Sequence, residues 1–189
     1  IFALIGIVIL FPVFICVSII IKIKSPGPVI YCQKRVGRQG RLFTLYKFRT
    51  MVKNADNLPG GSVTVQNDKR ITVIGKFIRK WKLDELPTLL NVLIGDMSFV
   101  GPRPDVLGYA DKLKYKYRKI LEIRPGITGP ATLKYLNEEA LLSSVDDPIK
   151  YNDEVIFPDK VRINLKYVET WSLLTDIKII VRTILRINY

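Results

Sequence analysis

The chain has 189 residues, enough for one domain with a hydrophobic core. Thirty Lys plus Arg against 17 Asp plus Glu give a formal charge of +13, which suits nucleic acid, an anionic membrane or phosphorylated substrates. The complete absence of His excludes Ser-His-Asp triads, Cys-His dyads and His-containing zinc sites, leaving carboxylates, Lys, Arg, Tyr, hydroxyls and an oxygen-liganded metal for any catalysis. Cys16 and Cys32 have no metal-ligand spacing and are expected as free thiols in a reducing compartment.

Residues Ile1 to Ile21 carry no charge. As a helix they reach roughly 31 Å, against a hydrocarbon core of about 30 Å. They are apolar on every side, unlike the single stripe of a soluble core helix. No small-residue cleavage site follows, so a signal peptide fits poorly, and without an initiator Met further residues are expected upstream. The segment either spans a membrane or enters, bends at Pro12 and returns; hydropathy alone favours the span. Lys22 to Lys53 then holds nine basic residues and no acid, which places the following domain on the cytoplasmic side and suits an anionic leaflet. A turn at Ser25-Pro26-Gly27-Pro28 leads to predicted strands over Val29 to Gln33 and Leu42 to Phe48, joined through Gly37 to Gly40. Asn54 to Asn67, with Pro59-Gly60-Gly61, reads as a flexible loop. Thr72 is placed to cap a basic helix to about Trp81.

That helix delivers the chain to Arg79–Pro104, around which the sequence is organised. Arg79, Lys80 and Lys82 precede adjacent carboxylates, Asp84 and Glu85, and Pro87 is tolerated only in a helix's first turn. Asp84 and Glu85 are therefore expected at or near a helix N-terminus, whose dipole favours negative charge. An ionised carboxylate among cations can be a nucleophile or a metal ligand. It can equally be only a helix cap. Asp105 is expected to cap an amphipathic helix to about Glu122, after which Arg124 to Pro130 breaks regular structure. That Gly-rich loop can present N–H groups to a phosphate or be a plain turn. Glu138 to Asp159 holds seven of the acids and reads as a solvated surface. Tyr167 to Ile187 is predicted as one amphipathic helix, either lying in a headgroup region or packed on the core.

Laid out in this order, the chain resembles the bacterial sugar transferases, the monotopic polyprenyl-phosphate phosphoglycosyl transferases. The resemblance runs from about Pro12 to Asn188. It rests on Arg35-Val36-Gly37 with Tyr46 to Met51, on Leu83 to Pro87 with Asn91 to Leu93 and Gly95 to Pro104, on Arg124 to Gly129, and on Tyr167-Val168 with Ser172-Leu173 and Asp176 to Lys178. It implies an α+β, mostly helical fold, with a re-entrant membrane helix over 1–21 and a catalytic domain over 22–189 on the cytoplasmic face of the bacterial inner membrane. It implies transfer of a sugar 1-phosphate from a UDP-sugar to undecaprenyl phosphate, with Mg²⁺ and release of UMP, in glycoconjugate assembly; inner-membrane lipid is the implied surroundings, and nucleic acid is not a partner. By the same resemblance Asp84 is the nucleophile and a metal contact, Glu85 its partner carboxylate, and Lys47, Arg49, Arg79, Arg103 and Arg124 are substrate-binding cations. Pro12 would break the membrane helix. Two departures from the family pattern stand out: Phe11 where a Ser often precedes the bend proline, and Asn164 where many members have Asp. The rival expectation is a non-catalytic, membrane-tethered polyanion-binding module.

Overall fold

The computed structural model describes residues 1–58 and 63–187. Pro59-Gly60-Gly61, expected as part of a flexible loop, lies outside the described residues. The protein is α+β and mostly helical, with short strands and one long apolar N-terminal helix.

Helix α1 runs over Phe2–Lys24 with Pro12 inside it and Lys22 and Lys24 in its last turn. Strands β1 (Ile30–Val36) and β2 (Leu42–Phe48) pair as a two-stranded sheet. Helix α2 (Val73–Lys80) starts where the sequence places it: Thr72 Oγ1 accepts from Gly75 N, satisfying one of the unpaired donors of the first turn. A 3₁₀ turn, Leu83–Glu85, precedes helix α3 (Thr88–Ile94), which ends on Gly95 at φ 92°, the left-handed conformation that glycine adopts without penalty. Strand β3 (Ser98–Val100) pairs in parallel with β4 (Gly126–Thr128), Ser98 opposite Gly126 and Val100 opposite Thr128. Helices α4 (Pro130–Lys134), α5 (Glu138–Ser143) and α6 (Pro148–Tyr151) follow. A π-helical turn, Asn152–Ile156, then leads into α7 (Phe157–Glu169), and α8 is Leu173–Leu185.

The chain forms two compact units. The first comprises Ile1–Gln33, Thr44–Ser62 and Asn67–Gly95; the second comprises Lys34–Phe43, Val63–Gln66 and Asp96–Tyr189. In the first unit Val17 and Ile21 of α1 close over Phe48 of β2 and Ile78 of α2, with Val13, Phe14, Ile74, Leu83 and Leu86 around them. Only a narrow part of the apolar helix, at Val17 and Ile21, is therefore built into this core, while most of its surface stays exposed. In the second unit one cluster joins Val36, Ala110, Ile120, Leu121 and Val161, and another joins Val100, Leu133, Tyr167 and Ile179.

Three expectations change. The helix expected from Asp105 to Glu122 is instead a pair of 3₁₀ turns, Ala110–Lys112 and Tyr115–Leu121. Gly108 at φ 100° and Tyr115 at φ 51° interrupt any continuous helix, and it is Asp111 Oδ1, not Asp105, that accepts a backbone N–H, from Gly108 at 2.7 Å. The single helix expected over Tyr167 to Ile187 is two. Asp176 accepts from both Tyr167 Oη (2.6 Å) and Trp171 Nε1 (3.1 Å), and Ser172 Oγ caps α8 through Thr175 N, so the chain turns a corner between them. The Arg124–Pro130 stretch holds strand β4 rather than an open loop. Gly126 N donates to Pro102 O and Gly101 N to Thr128 O, and a side chain on Gly101 would meet Arg124 O at 2.7 Å. These glycines are required by close backbone approach.

Candidate active site

The first unit brings the carboxylates and three cations together. Lys82 adopts φ 56°, turning the chain sharply out of α2 and into the Leu83–Glu85 turn. Asp84 comes to lie 9% exposed. It sits one turn before α3 rather than in its first turn, and it caps nothing: its Oδ1 is buried with no hydrogen-bond partner among the described residues. Glu85 is held at both ends. Lys47 Nζ, from β2, donates to Glu85 Oε1 at 3.0 Å, and Thr88 Oγ1 donates to Glu85 O at 2.6 Å.

Burial raises the pKa of the Asp84 carboxyl, and the neighbouring Glu85 charge raises it further. Lys47, Arg79 and Lys82 pull in the opposite direction. The site is thus an under-solvated acidic oxygen inside a partial ring of cations, a poised arrangement more common at functional sites than in scaffolding. The unpartnered Asp84 oxygen is of the hard donor type that Mg²⁺ accepts, and Mg²⁺ takes one or two protein carboxylates and fills its remaining positions with water and substrate phosphate. A larger acidic cluster is not needed for that, and among the described residues no group of three or more ligating side chains occurs.

Arg49 is placed differently from the other cations. It is buried, with Nη1 donating to Pro26 O at 2.8 Å and Nη2 to Ser25 O at 2.6 Å and Ser25 Oγ at 3.1 Å. Carbonyls at a helix exit need donors, and this guanidinium supplies them, tying β2 to the end of α1. Gly27, at φ 121°, leaves the room that the guanidinium occupies.

Asn91 received no role from the sequence, yet it organises this unit. Its side chain is fully buried, its Nδ2 donates to Thr44 O at 2.7 Å, and its Oδ1 accepts from Tyr46 N at 3.1 Å. The amide thus completes the edge of β2 as a neighbouring strand would, and it fixes α3 to the strand that carries Lys47. The available signal was a lone amide within the apolar run Leu89 to Ile94, since a polar group there must find partners.

Arg103 and Arg124 belong to the second unit. Arg103 follows β3 and, with Arg35 and Lys160, surrounds the Asp105 carboxyl with positive charge; Arg35 Nη1 also donates to Pro104 O at 3.1 Å. Asp105 keeps some surface contact, yet its carboxyl lies deep enough that burial pushes its pKa up to about 6. Arg124 lies two residues before the start of β4. Asn164, on α7, is buried, and its Oδ1 has no partner among the described residues.

The bacterial sugar transferase family profile matches residues 1–188. The chain belongs to this family. It is 36% identical over 187 residues to the UDP-N-acetylgalactosamine-undecaprenyl-phosphate N-acetylgalactosaminephosphotransferase of Aeromonas hydrophila, covering 96% of this chain and 40% of that protein. It is 36% identical over 182 residues to the UDP-glucose:undecaprenyl-phosphate glucose-1-phosphate transferase of Escherichia coli, covering 93% and 36%. It is also 36% identical over 185 residues to the exopolysaccharide production protein PSS of Rhizobium leguminosarum, covering 95% and 87%. This bacterial sugar transferase thus spans about two fifths of the first two relatives and most of the third.

Proposed function

We propose that this chain transfers a sugar 1-phosphate from a UDP-sugar to undecaprenyl phosphate. The observation that carries the reading is Asp84: a buried carboxylate oxygen without a partner, beside Glu85 and within the field of Lys47, Arg79 and Lys82. A carboxylate needs no proton relay to act as a nucleophile, which accords with a chain that has no His. In the first step an Asp84 oxygen attacks the β-phosphorus of the donor. An oxygen–phosphorus bond forms to the carboxylate, and the bond from that phosphorus to the bridging oxygen breaks. UMP departs with the electron pair. In the second step a phosphate oxygen of the lipid attacks the same phosphorus and displaces the carboxylate.

The cations lower the repulsion between anionic nucleophile, pyrophosphate and lipid phosphate, and such electrostatic positioning is the main contribution a protein makes to phosphoryl transfer. Lys47 holds Glu85 in place, and Arg79, whose charge acts on Asp84, is the cation we assign to the lipid phosphate. Arg103 and Arg124 are assigned to the nucleotide. Mg²⁺, held by Asp84, would supply charge neutralisation on the phosphates when bound.

The membrane reading rests on α1. A side chain at Gly6 would meet Leu89 of α3, while Val17 and Ile21 sit in the core with Phe48 and Ile78. Pro12, inside this 23-residue apolar helix, is the point at which a re-entrant path would bend. The basic stretch after α1 supports the cytoplasmic face of the inner membrane. A non-catalytic polyanion-binding module accounts for the basic runs but not for the unpartnered buried Asp84 oxygen.

The test is UMP release by detergent-solubilised protein with Mg²⁺, undecaprenyl phosphate and a panel of UDP-sugars, with Asp84→Asn in parallel. Release that needs lipid and Asp84, with a phosphosugar mass increase on Asp84 before lipid is added, is expected. Undiminished turnover by Asp84→Asn would remove Asp84 from the reaction.

A further inference from the structure

The first unit buries a second pair of opposite charges: Asp68 and Arg70 are 9% and 6% exposed. Arg70 Nε donates to Asp68 Oδ1 at 3.0 Å and to Oδ2 at 3.1 Å, and Arg70 Nη2 donates to Oδ2 at 2.7 Å. The backbone joins in, with Arg70 N donating to Oδ1 at 2.9 Å. The side-chain bonds from Arg70 hold the Asp68 carboxyl below its ordinary pKa, so the pair is buried as ions. A buried ion pair adds little stability over apolar side chains of similar size, and its better-attested use is to hold one arrangement against the alternatives.

The arrangement held here is the start of α2. Val52 N donates to Arg70 O at 2.8 Å, Ile71 pairs antiparallel with Met51, and Thr72 N donates to Thr50 O at 2.9 Å. Residues 70–72 thus run beside residues 50–52, the continuation of β2, and α2 begins at once from its cap, Thr72. Helix α3 and Glu85 reach β2 by other routes, through Asn91 and Lys47. The seating of α2 on β2 therefore depends on residues 68–72 in a way that the seating of α3 does not. Arg79 stands roughly 9 Å along the helix from Val73, so a tilt of about 6° at the start displaces it by about 1 Å. Its charge acts on both the Asp68 and the Asp84 carboxyls.

We propose that Asp68 and Arg70 are positioning residues, a clasp that sets the angle of α2 on β2 and so holds Arg79 in register with Asp84. Only the identity of the phosphate that Arg79 meets rests on the reaction proposed above. A displacement of about 1 Å in a positioned group can cost on the order of 100-fold in rate. The loss falls on transfer to the lipid phosphate. Formation of the phosphosugar on Asp84 is spared, because the neighbouring Glu85 is fixed to β2 by Lys47 without help from the clasp.

The full chain in detergent separates the two steps. Phosphosugar formation is read by mass with the UDP-sugar that the wild type accepts, and transfer is read on adding undecaprenyl phosphate. Asp68→Asn is expected to keep phosphosugar formation within about threefold, to slow transfer by roughly 10- to 100-fold and to raise the KM for undecaprenyl phosphate. Asp68→Asn with Arg70→Met keeps an acceptor for Arg70 N and buries no charge. It is expected to melt no lower than wild type and still to lose transfer to the same degree, and it serves alone if Asp68→Asn does not fold. A pair that merely stabilises predicts wild-type transfer wherever melting is unchanged; that result overturns the proposal, as does an equal loss in both steps. A wild type that forms no phosphosugar counts against the reaction and leaves the clasp to be judged by amide exchange. Faster exchange over Val73–Lys80 in the variants, with Thr88–Ile94 unchanged, is then expected, and equal change in both helices overturns the proposal.

Discussion

Asn91 is the residue whose loss should be felt furthest in this unit. Its amide supplies a donor to Thr44 O and an acceptor to Tyr46 N, both from a fully buried position. Leu has the same branched shape, supplies neither, and is larger, so crowding can only add to the loss. Removing the partner of a buried polar group costs about 1–3 kcal/mol, so Asn91→Leu should destabilise by about 2–6 kcal/mol. At about 2–4 °C per kcal/mol for a chain of this size, the melting temperature should fall by on the order of 10 °C. Asn91→Asp gives a sharper result. It keeps the acceptor for Tyr46 N but sets a carboxylate oxygen against Thr44 O, so the folded state favours the protonated acid, which donates there. Its folded pKa then lies above its unfolded one, so stability is retained at low pH and lost as pH rises through the folded value. Melting curves from pH 4 to pH 8 read both effects, and catalytic turnover should fall with them because β2 carries Lys47. An Asn91→Leu protein within about 0.5 kcal/mol of wild type, or an Asn91→Asp protein whose stability relative to wild type ignores pH, would refute the reasoning.

The remaining predictions concern single groups. The folded pKa of Asp84 is raised, chiefly by burial and then by Glu85, so its ionised form costs stability above that pKa and nothing below the unfolded value. Asp84→Asn should therefore melt higher than wild type at neutral pH, with the gain shrinking as the solution is acidified, while transfer is lost; an unchanged melting temperature at neutral pH would contradict the burial argument. Lys47→Met removes one of the opposing charges as well as the Glu85 partner, so the acid limb of the activity profile should move to higher pH. Asp105 has a folded pKa of about 6 against an ordinary 3.8, which at about 1.4 kcal/mol per pH unit makes its ionised form cost ~3 kcal/mol. Asp105→Asn should recover that amount in denaturant unfolding at pH 7.5 and nothing below about pH 4. Gly75→Ala drives a methyl into Thr50 O, the carbonyl that also accepts from Thr72 N, and should cost about 1–3 kcal/mol in the same assay.

What the sequence carried was whatever depends on neighbours along the chain. Thr72 as the cap of α2, the strand over Leu42–Phe48, the long apolar α1 and the Asp84-Glu85 pair entering a helix at Pro87 are all local patterns, and the structure holds each of them. The readings that changed depended on partners distant in sequence. Arg49, expected as a substrate-binding cation, gives its guanidinium to the carbonyls of Ser25 and Pro26. Asp105 reads as a cap until burial removes it from the helix end it was expected to serve. Tyr167 and Ile187 share an amphipathic period, but the carboxylate of Asp176 holds Tyr167 and Trp171 and turns the chain between them. Sequence periodicity and composition determined which segments are helical, apolar or basic, because those properties are local. Only the tertiary structure decided that Asp84 is an unpartnered oxygen rather than a cap, and that Asn91 joins α3 to β2, because hydrogen-bond satisfaction and desolvation depend on what the fold brings alongside.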